Sequence, residues 1–307
     1  MEKQSKKKKV QTPKNKNNNQ NIKKEHTDKI KENNNQKMKK DNIDIKIEKS
    51  NDKKKLDIKK YIIVLFELIC IAGIVYSITF LIIRQRSLDE NNKIKDDLNK
   101  NVEVIKEEKK DDETGKTIIE EKVVVDFATL KEQNPDTVAY LKIKNSNIDY
   151  PVVKAENNEY YLNHNFNKQY NTAGWIFADY KNKFDGTDKN IVIYGHSMKD
   201  GSMFGQLYKL FNSDWINDTS NYDFIFNTAL GDNTYRVFSM YRVEEEDYYI
   251  TTNFNSDAEF GDFIRTLKSR SYRNFNIDVS GSDQIITLST CTSDLLHRIV
   301  VHAKKIS

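Results

Sequence analysis

The sequence predicts a mainly β protein, a closed or nearly closed barrel of about eight short strands with a few helices, preceded by a single transmembrane helix. Three observations predict it. Short β-branched and aromatic runs recur between residues 138 and 304, separated by turn residues. Only two stretches of helical periodicity interrupt them. One long apolar run, residues 61–83, stands apart near the N-terminus.

The elements follow in chain order. Residues 1–60 carry 21 Lys, no Arg and 9 acidic residues, a net charge of +12, whereas the remainder carries 29 basic and 37 acidic residues. So polar a tail cannot bury enough apolar surface to offset chain entropy, and it is expected to be disordered and cytoplasmic. It has no aromatic residue before Tyr61 and no Arg, so it offers nucleic acid neither stacking nor a bidentate fork. Attraction to anionic lipid headgroups suits it better, and no nucleic-acid partner is expected.

Residues 61–83 are apolar except for Glu67, Ser77 and Thr79. About 23 residues suffice to cross a hydrocarbon core of roughly 30 Å. A cleaved signal peptide would be shorter and would end in small residues. Here Ile82-Ile83 runs into Arg84-Gln85-Arg86, so the span reads as an uncleaved anchor. Its Lys-rich N-terminal flank places the tail inside the cell and the body outside. Residues 84–122 are charged and read as an extracellular, partly helical spacer, with the folded domain at 123–307.

Within that domain, residues 126–133 read as a short helix stopped before Pro135. Strands are expected at 138–143, 148–153, 191–194, 222–226, 235–242, 284–290 and 298–304, with Pro151 marking an edge or a bulge. Residues 203–211 and 257–269 read as helices. In the second, Phe260, Phe263, Ile264 and Leu267 form a stripe that belongs to the core.

Chemistry concentrates at three strand ends. The run Ile285-Ile286-Thr287-Leu288-Ser289-Thr290-Cys291 ends in a thiol, Ile191-Val192-Ile193-Tyr194-Gly195-His196 ends in an imidazole, and Arg298 opens the last strand. A thiol, an imidazole and a guanidinium are the parts for acyl transfer through a thioester. The only other cysteine, Cys70, lies in the membrane run, so Cys291 has no disulfide partner in its own domain. His164 is a secondary candidate, better suited to a groove or core role. His297 and His302 flank Arg298, with His302 on the same face of its strand. No His/Cys/Asp spacing suggests a metal, and no phosphate loop or dinucleotide fingerprint occurs, so no cofactor is expected.

These blocks resemble the sortases, and within them class B. The resemblance rests on Asn147-Ile148-Asp149-Tyr150-Pro151-Val152-Val153, on Asn158-Glu159-Tyr160-Tyr161-Leu162-Asn163-His164-Asn165-Phe166, on Tyr194-Gly195-His196-Ser197-Met198 through Phe204, and on Thr287-Leu288-Ser289-Thr290-Cys291. It covers about residues 125–307. It implies a sortase-type barrel and a membrane-bound transpeptidase of a Gram-positive cell. Cys291 is then the nucleophile, His196 the general acid and base, and Arg298 the donor to the signal's carbonyls and the oxyanion. Its substrates are secreted proteins bearing a C-terminal sorting signal, cut after a threonine. The acceptor is an amine of a cell-wall precursor or of peptidoglycan. By the same resemblance Ser289, Asn158 and Leu162 line the substrate groove, with Thr290 at the strand end beside them. Either Tyr248 or Tyr249 joins them, Tyr249 being the candidate chosen. The acidic cluster that some other sortases use for calcium is missing. Only six residues separate Cys291 from Arg298, which is short for a class B enzyme. Two other readings share the chemistry: a pilin polymerase whose acceptor is a lysine side chain, and a cysteine peptidase that releases the acyl group to water.

Overall fold

The computed structural model describes residues 21–110, 117–244, 246–291 and 297–307, with Cys291 described at its backbone. The chain divides into two compact units, residues 1–78 and 79–307.

In the first unit the backbone is helical from Asn21, the start of α1 (Asn21–Leu98). Residues 21–60 are therefore helical where composition alone suggested disorder. Neither Gly nor Pro occurs between Asn21 and Ala72, and Lys, Glu, Gln and Ile all tolerate the helix well. The stretch Asp57–Asn101 is long and apolar enough to cross a membrane.

In the second unit the end of α1 is amphipathic. Leu88, Ile94 and Leu98 are buried in the main core. Asn91 Nδ2 donates to the Gly174 carbonyl at 2.9 Å, and Asn171 Nδ2 donates to that of Ser87 at 2.9 Å. Lys95 donates to the Asn147 carbonyl at 2.8 Å and lies over the Tyr150 ring. Residues of the stretch expected as a spacer thus contribute to the core, because an i, i+6, i+10 apolar stripe runs beneath its charges. β1 (Val102–Lys110) and β2 (Thr117–Val125) then pair as an antiparallel ribbon, most of it within that stretch.

The remaining strands are β3 (Thr137–Ile143), β4 (Asp149–Val153), β5 (Phe177–Ala178), β6 (Asn190–Gly195), β7 (Asp223–Thr228), β8 (Thr234–Glu244), β9 (Ile285–Cys291) and β10 (His297–Lys305). They close into an eight-stranded barrel in the order β10-β8-β7-β3-β4-β5-β6-β9. Seven of these coincide with expected strands. β5 is the exception, because two residues carry no alternation. Pro151 is tolerated because β4 meets β5 only at Val153↔Phe177, so Pro151 has no ladder partner on that side. Its carbonyl accepts instead from Trp175 Nε1 at 2.9 Å.

α2 (Phe127–Gln133) is capped by Asp126, whose side chain accepts from the Thr129 N–H. The helix expected at 203–211 is reduced to a 3-10 stretch, Leu207–Phe211. Met203 has φ 51°, outside helical geometry, which breaks the run at its start. A single helical turn, α3 (Ser213–Asn217), follows it. The first turn of α4 (Asp257–Ser269) is held by two side chains. Ser256 Oγ accepts from Glu259 N at 3.2 Å, and Glu259 Oε2 accepts from Asn255 N at 2.7 Å. Its Phe260, Ile264 and Leu267 cover Phe238, Tyr241, Ile285 and Val300 on the outside of the barrel, making a second core.

Candidate active site

Strand alternation sorts β9 and β10 into two rows. Ile286, Leu288, Ile299, Val301 and Ala303 belong to the main core, whereas Ile285 and Val300 belong to the core under α4. The row of Ile285 continues through Thr287 and Ser289 to position 291. The row of Val300 runs back to Arg298 and on to His302. The register then brings the three expected strand ends together. Arg298 pairs with Cys291 across the antiparallel β9–β10 ladder. Gly195 pairs with Thr290 across the parallel β6–β9 ladder, so the next residues are His196 and Cys291. His196 and Arg298 flank the Cys291 backbone from opposite sides, and both are half-buried.

The loop after β6 fixes His196. Its carbonyl accepts from Phe204 N at 3.0 Å, and Ser197 bridges to Met203. Gly195 is needed for this closure, since a Cβ there would approach the Phe204 ring to 2.9 Å. The imidazole Nε2 lies 2.8 Å from the Leu162 carbonyl oxygen. A carbonyl only accepts, so the ring proton resides on Nε2 and Nδ1 is left to take and return a second proton. Leu162 ends the 3-10 turn Tyr160–Leu162, and its side chain is exposed. Gly174, at φ 58°, packs against that turn; a Cβ there would come within 2.7 Å of the Leu162 oxygen. The carbonyl that orients His196 is thus held by a backbone approach only glycine permits.

The other expected residues fall in two places. Ser289 Oγ and Tyr249 OH are 3.2 Å apart, both buried. Asn190 Nδ2 donates to the Thr251 carbonyl at 2.9 Å, tying the Tyr249 segment to β6. Tyr248 instead packs beneath Arg270, 4.2 Å from guanidinium to ring centroid. Asn158 Nδ2 donates to Asp179 Oδ2 at 2.8 Å. Thr290 is buried in the row of Leu288, on the opposite face from Ser289. His164 stacks on Tyr160 with ring centroids 4.1 Å apart, and its Nδ1 lies 2.8 Å from the Tyr160 carbonyl. The loop 292–296, whose shortness the sequence raises, lies outside the described residues. Among the described residues, no group of three or more His, Cys, Asp or Glu is placed to hold a metal ion.

Two residues at this site had no assigned role in the sequence. Tyr194 stands two positions before His196, and its hydroxyl donates to Asp179 Oδ2 at 2.9 Å. Burial, reinforced by the Asp179 carboxylate and opposed by Arg298, pushes its phenol far above the usual range, so it stays a neutral donor. Asp179 is the only charged residue in Trp175-Ile176-Phe177-Ala178-Asp179-Tyr180. A lone charge closing an apolar run was the available signal.

The chain is matched over residues 141–306 by the family model described as "Sortase domain". It is 38% identical over 181 residues to a protein of Listeria monocytogenes named Sortase B, covering 58% of this chain and 73% of that one. The crystal structure of Clostridium perfringens sortase B superposes with a TM-score of 0.56 at 35% identity, covering 59% of this chain and 99% of that one. A Staphylococcus aureus sortase B–substrate complex gives a TM-score of 0.56 at 32% identity, covering 59% of this chain and 84% of the other. A family model spanning more than half the length, on a barrel shared with those relatives, means that the chain belongs to the sortases, a family of cysteine transpeptidases, alongside its class B members.

Proposed function

We propose that this chain is a membrane-anchored sortase that cuts a C-terminal sorting signal after its threonine and transfers the new acyl end to an amine of the cell wall. The observation that carries it is the register of β6, β9 and β10, which sets His196 and Arg298 on either side of Cys291. In the first half-reaction the Cys291 thiol gives its proton to His196 Nδ1 and the thiolate attacks the threonine carbonyl carbon. A C–S bond forms and the carbonyl π electrons move to oxygen, where the Arg298 fork donates to the oxyanion. The C–N bond then breaks, and the leaving amine takes the proton back from the imidazolium, leaving a thioester. In the second half-reaction an incoming amine attacks the thioester and passes its proton to His196. The C–S bond breaks, giving a new amide and the Cys291 thiolate, which the imidazolium reprotonates. His196 suits both halves because Nε2–H stays on the Leu162 carbonyl throughout. The Lys-rich flank of the apolar span supports a cytoplasmic N-terminus and an external catalytic body.

The test is to incubate the full-length chain in detergent with peptides of sorting-signal type, with and without an added amine, and to identify products by mass spectrometry. A ligated product that vanishes in Cys291→Ala is expected. Hydrolysed acid alone, whatever the amine, would make the chain a peptidase, and a preference for lysine side chains would make it a pilin polymerase. The same membrane-impermeant substrates, given to intact wall-stripped cells, should also be converted. Conversion only after lysis would reverse the topology.

A further inference from the structure

Asp179 is a carboxylate in a place where a carboxylate is costly. It follows β5 directly and is 1% exposed. An ion at that depth persists only when donors surround it. Three do. Oδ1 accepts from Lys181 N at 2.9 Å, and Oδ2 accepts from Asn158 Nδ2 at 2.8 Å and from Tyr194 OH at 2.9 Å. Its backbone is fixed too, with N donating to the Val192 carbonyl at 2.8 Å and its own carbonyl accepting from Asn182 N at 3.0 Å.

Two of those donors belong to the walls of the candidate site. Asn158 precedes the turn whose Leu162 carbonyl holds His196, and Tyr194 lies two residues before His196, near the end of β6. The hydrogen bonds also decide what each can offer. Asn158 Oδ1 accepts from Tyr180 N at 3.0 Å, so its amide orientation is set and one Nδ2 hydrogen remains for a peptide carbonyl. Tyr194 spends its only hydrogen on Asp179, so its oxygen can act only as an acceptor. The pairs Tyr194↔Ser289 and Cys291↔Arg298 set that tyrosine diagonally across β9 from the Arg298 guanidinium, a donor that suits it.

We propose that Asp179 is a positioning residue for acyl transfer, holding Asn158 as a one-hydrogen donor to the substrate backbone and Tyr194 as an acceptor that orients Arg298. This rests on the roles assigned above to Cys291, His196 and Arg298. An amide cannot replace the carboxylate. Asparagine has one accepting end and one donating end, whereas this site presents hydrogens to both oxygens.

The experiment measures kcat and KM for peptide cleavage by the full-length chain in detergent. Asn158→Ala should mainly raise KM, and Tyr194→Phe should mainly lower kcat. Asp179→Asn should do both, with kcat/KM falling about 30-fold, as expected when two oriented polar groups are released together. In the Asn158→Ala/Tyr194→Phe background, adding Asp179→Asn should cost less than about threefold, because the groups it acts through are gone. A purely structural role would cost the same factor in both backgrounds and would overturn the proposal, as would Asp179→Asn within threefold of the unaltered chain. Should Asp179→Asn not fold, the two partner variants carry the test, since both keep the carboxylate. Each should lose at least about fivefold, and either one within twofold of the starting activity overturns the inference. Cys291→Ala separates the two levels. Activity there would sink the acyl-transfer reading, whereas an inactive Cys291→Ala beside a fully active Asp179→Asn sinks this inference alone.

Discussion

Two histidines lie on or just beyond strands of the same barrel, and their surroundings differ. His196 follows β6 at the open end and is half-buried. His302, four residues beyond Arg298 on β10, is fully buried beside the core under α4. His196 has one nitrogen committed, to a carbonyl. His302 has both committed: Nδ1 lies 2.9 Å from Thr287 Oγ1 and Nε2 lies 2.9 Å from Tyr241 OH. The Thr287 hydroxyl gives its only hydrogen to Asn190 Oδ1 at 2.7 Å, so it must accept from His302 Nδ1–H. Nε2 then accepts from Tyr241. That closed chain fits only a neutral ring, and burial lowers the His302 imidazole to about 3. What would let one ring exchange a proton while the other only packs is the cover, not the residue type.

The largest effect that would break this comparison is at His196. His196→Ala should cost several orders of magnitude in kcat, since neither the departing nor the incoming amine then exchanges its proton with a placed base. Thermal stability should hold, because the side chain is half-exposed and makes a single hydrogen bond. A loss in turnover below about tenfold would make His196 as passive as His302.

The next effect separates charge from geometry on the other side of Cys291. Arg298→Lys keeps a cation and loses the planar fork of five donors. Directed hydrogen bonding predicts a fall in kcat/KM on the order of 10²-fold, comparable to removing one oxyanion donor. An Arg298→Lys variant that retains more than about a tenth of the starting value would mean that charge alone suffices at this position.

Much of this contrast is legible in the order of the amino acids. The strand ends at His196, Cys291 and Arg298 stand out because each polar residue closes or opens a β-branched run, and α4 stands out because of its Phe260, Phe263, Ile264 and Leu267 stripe. The alternation that put His302 on the row of Arg298 also holds. Nothing local to that row tells that α4 covers one end of it and leaves the other open, because the cover comes from residues 257–269, on a separate stretch of chain. The roles of Asp179 and Tyr194 were hidden for a similar reason, Asp179 standing out only as a lone charge in an apolar run. Their roles depend on β5, a two-residue strand without periodicity, meeting β6. The part of α1 that packs on the core was hidden by its own charges. Its apolar residues Leu88, Ile94 and Leu98 are widely spaced among Asp, Asn and Lys.

The smallest effect on turnover, and the one that sharpens the comparison most, is at His302. Its folded-state pKa lies below the unfolded value of about 6.5. Between roughly pH 6.5 and 3 the unfolded chain binds a proton at this residue that the folded chain does not, so the contribution to stability is complete above the upper limit and is lost as pH falls. The slope is about 1.4 kcal/mol per pH unit for one such group, an upper limit when other residues relax. His302→Gln cannot titrate, and it should flatten the fall in melting temperature between pH 6.5 and 4.5 relative to the unaltered chain. At pH 7 the same variant should melt lower, by the cost of leaving Thr287 and Tyr241 imperfectly paired, about 1–3 kcal/mol. Its kcat at pH 7 should stay within about threefold, since the ring exchanges no proton in the reaction. Melting curves of the two proteins across that pH range decide it. Parallel curves would mean that His302 takes up a proton in the fold as readily as in the unfolded chain, and the closed Asn190–Thr287–His302–Tyr241 chain would have to open to let it.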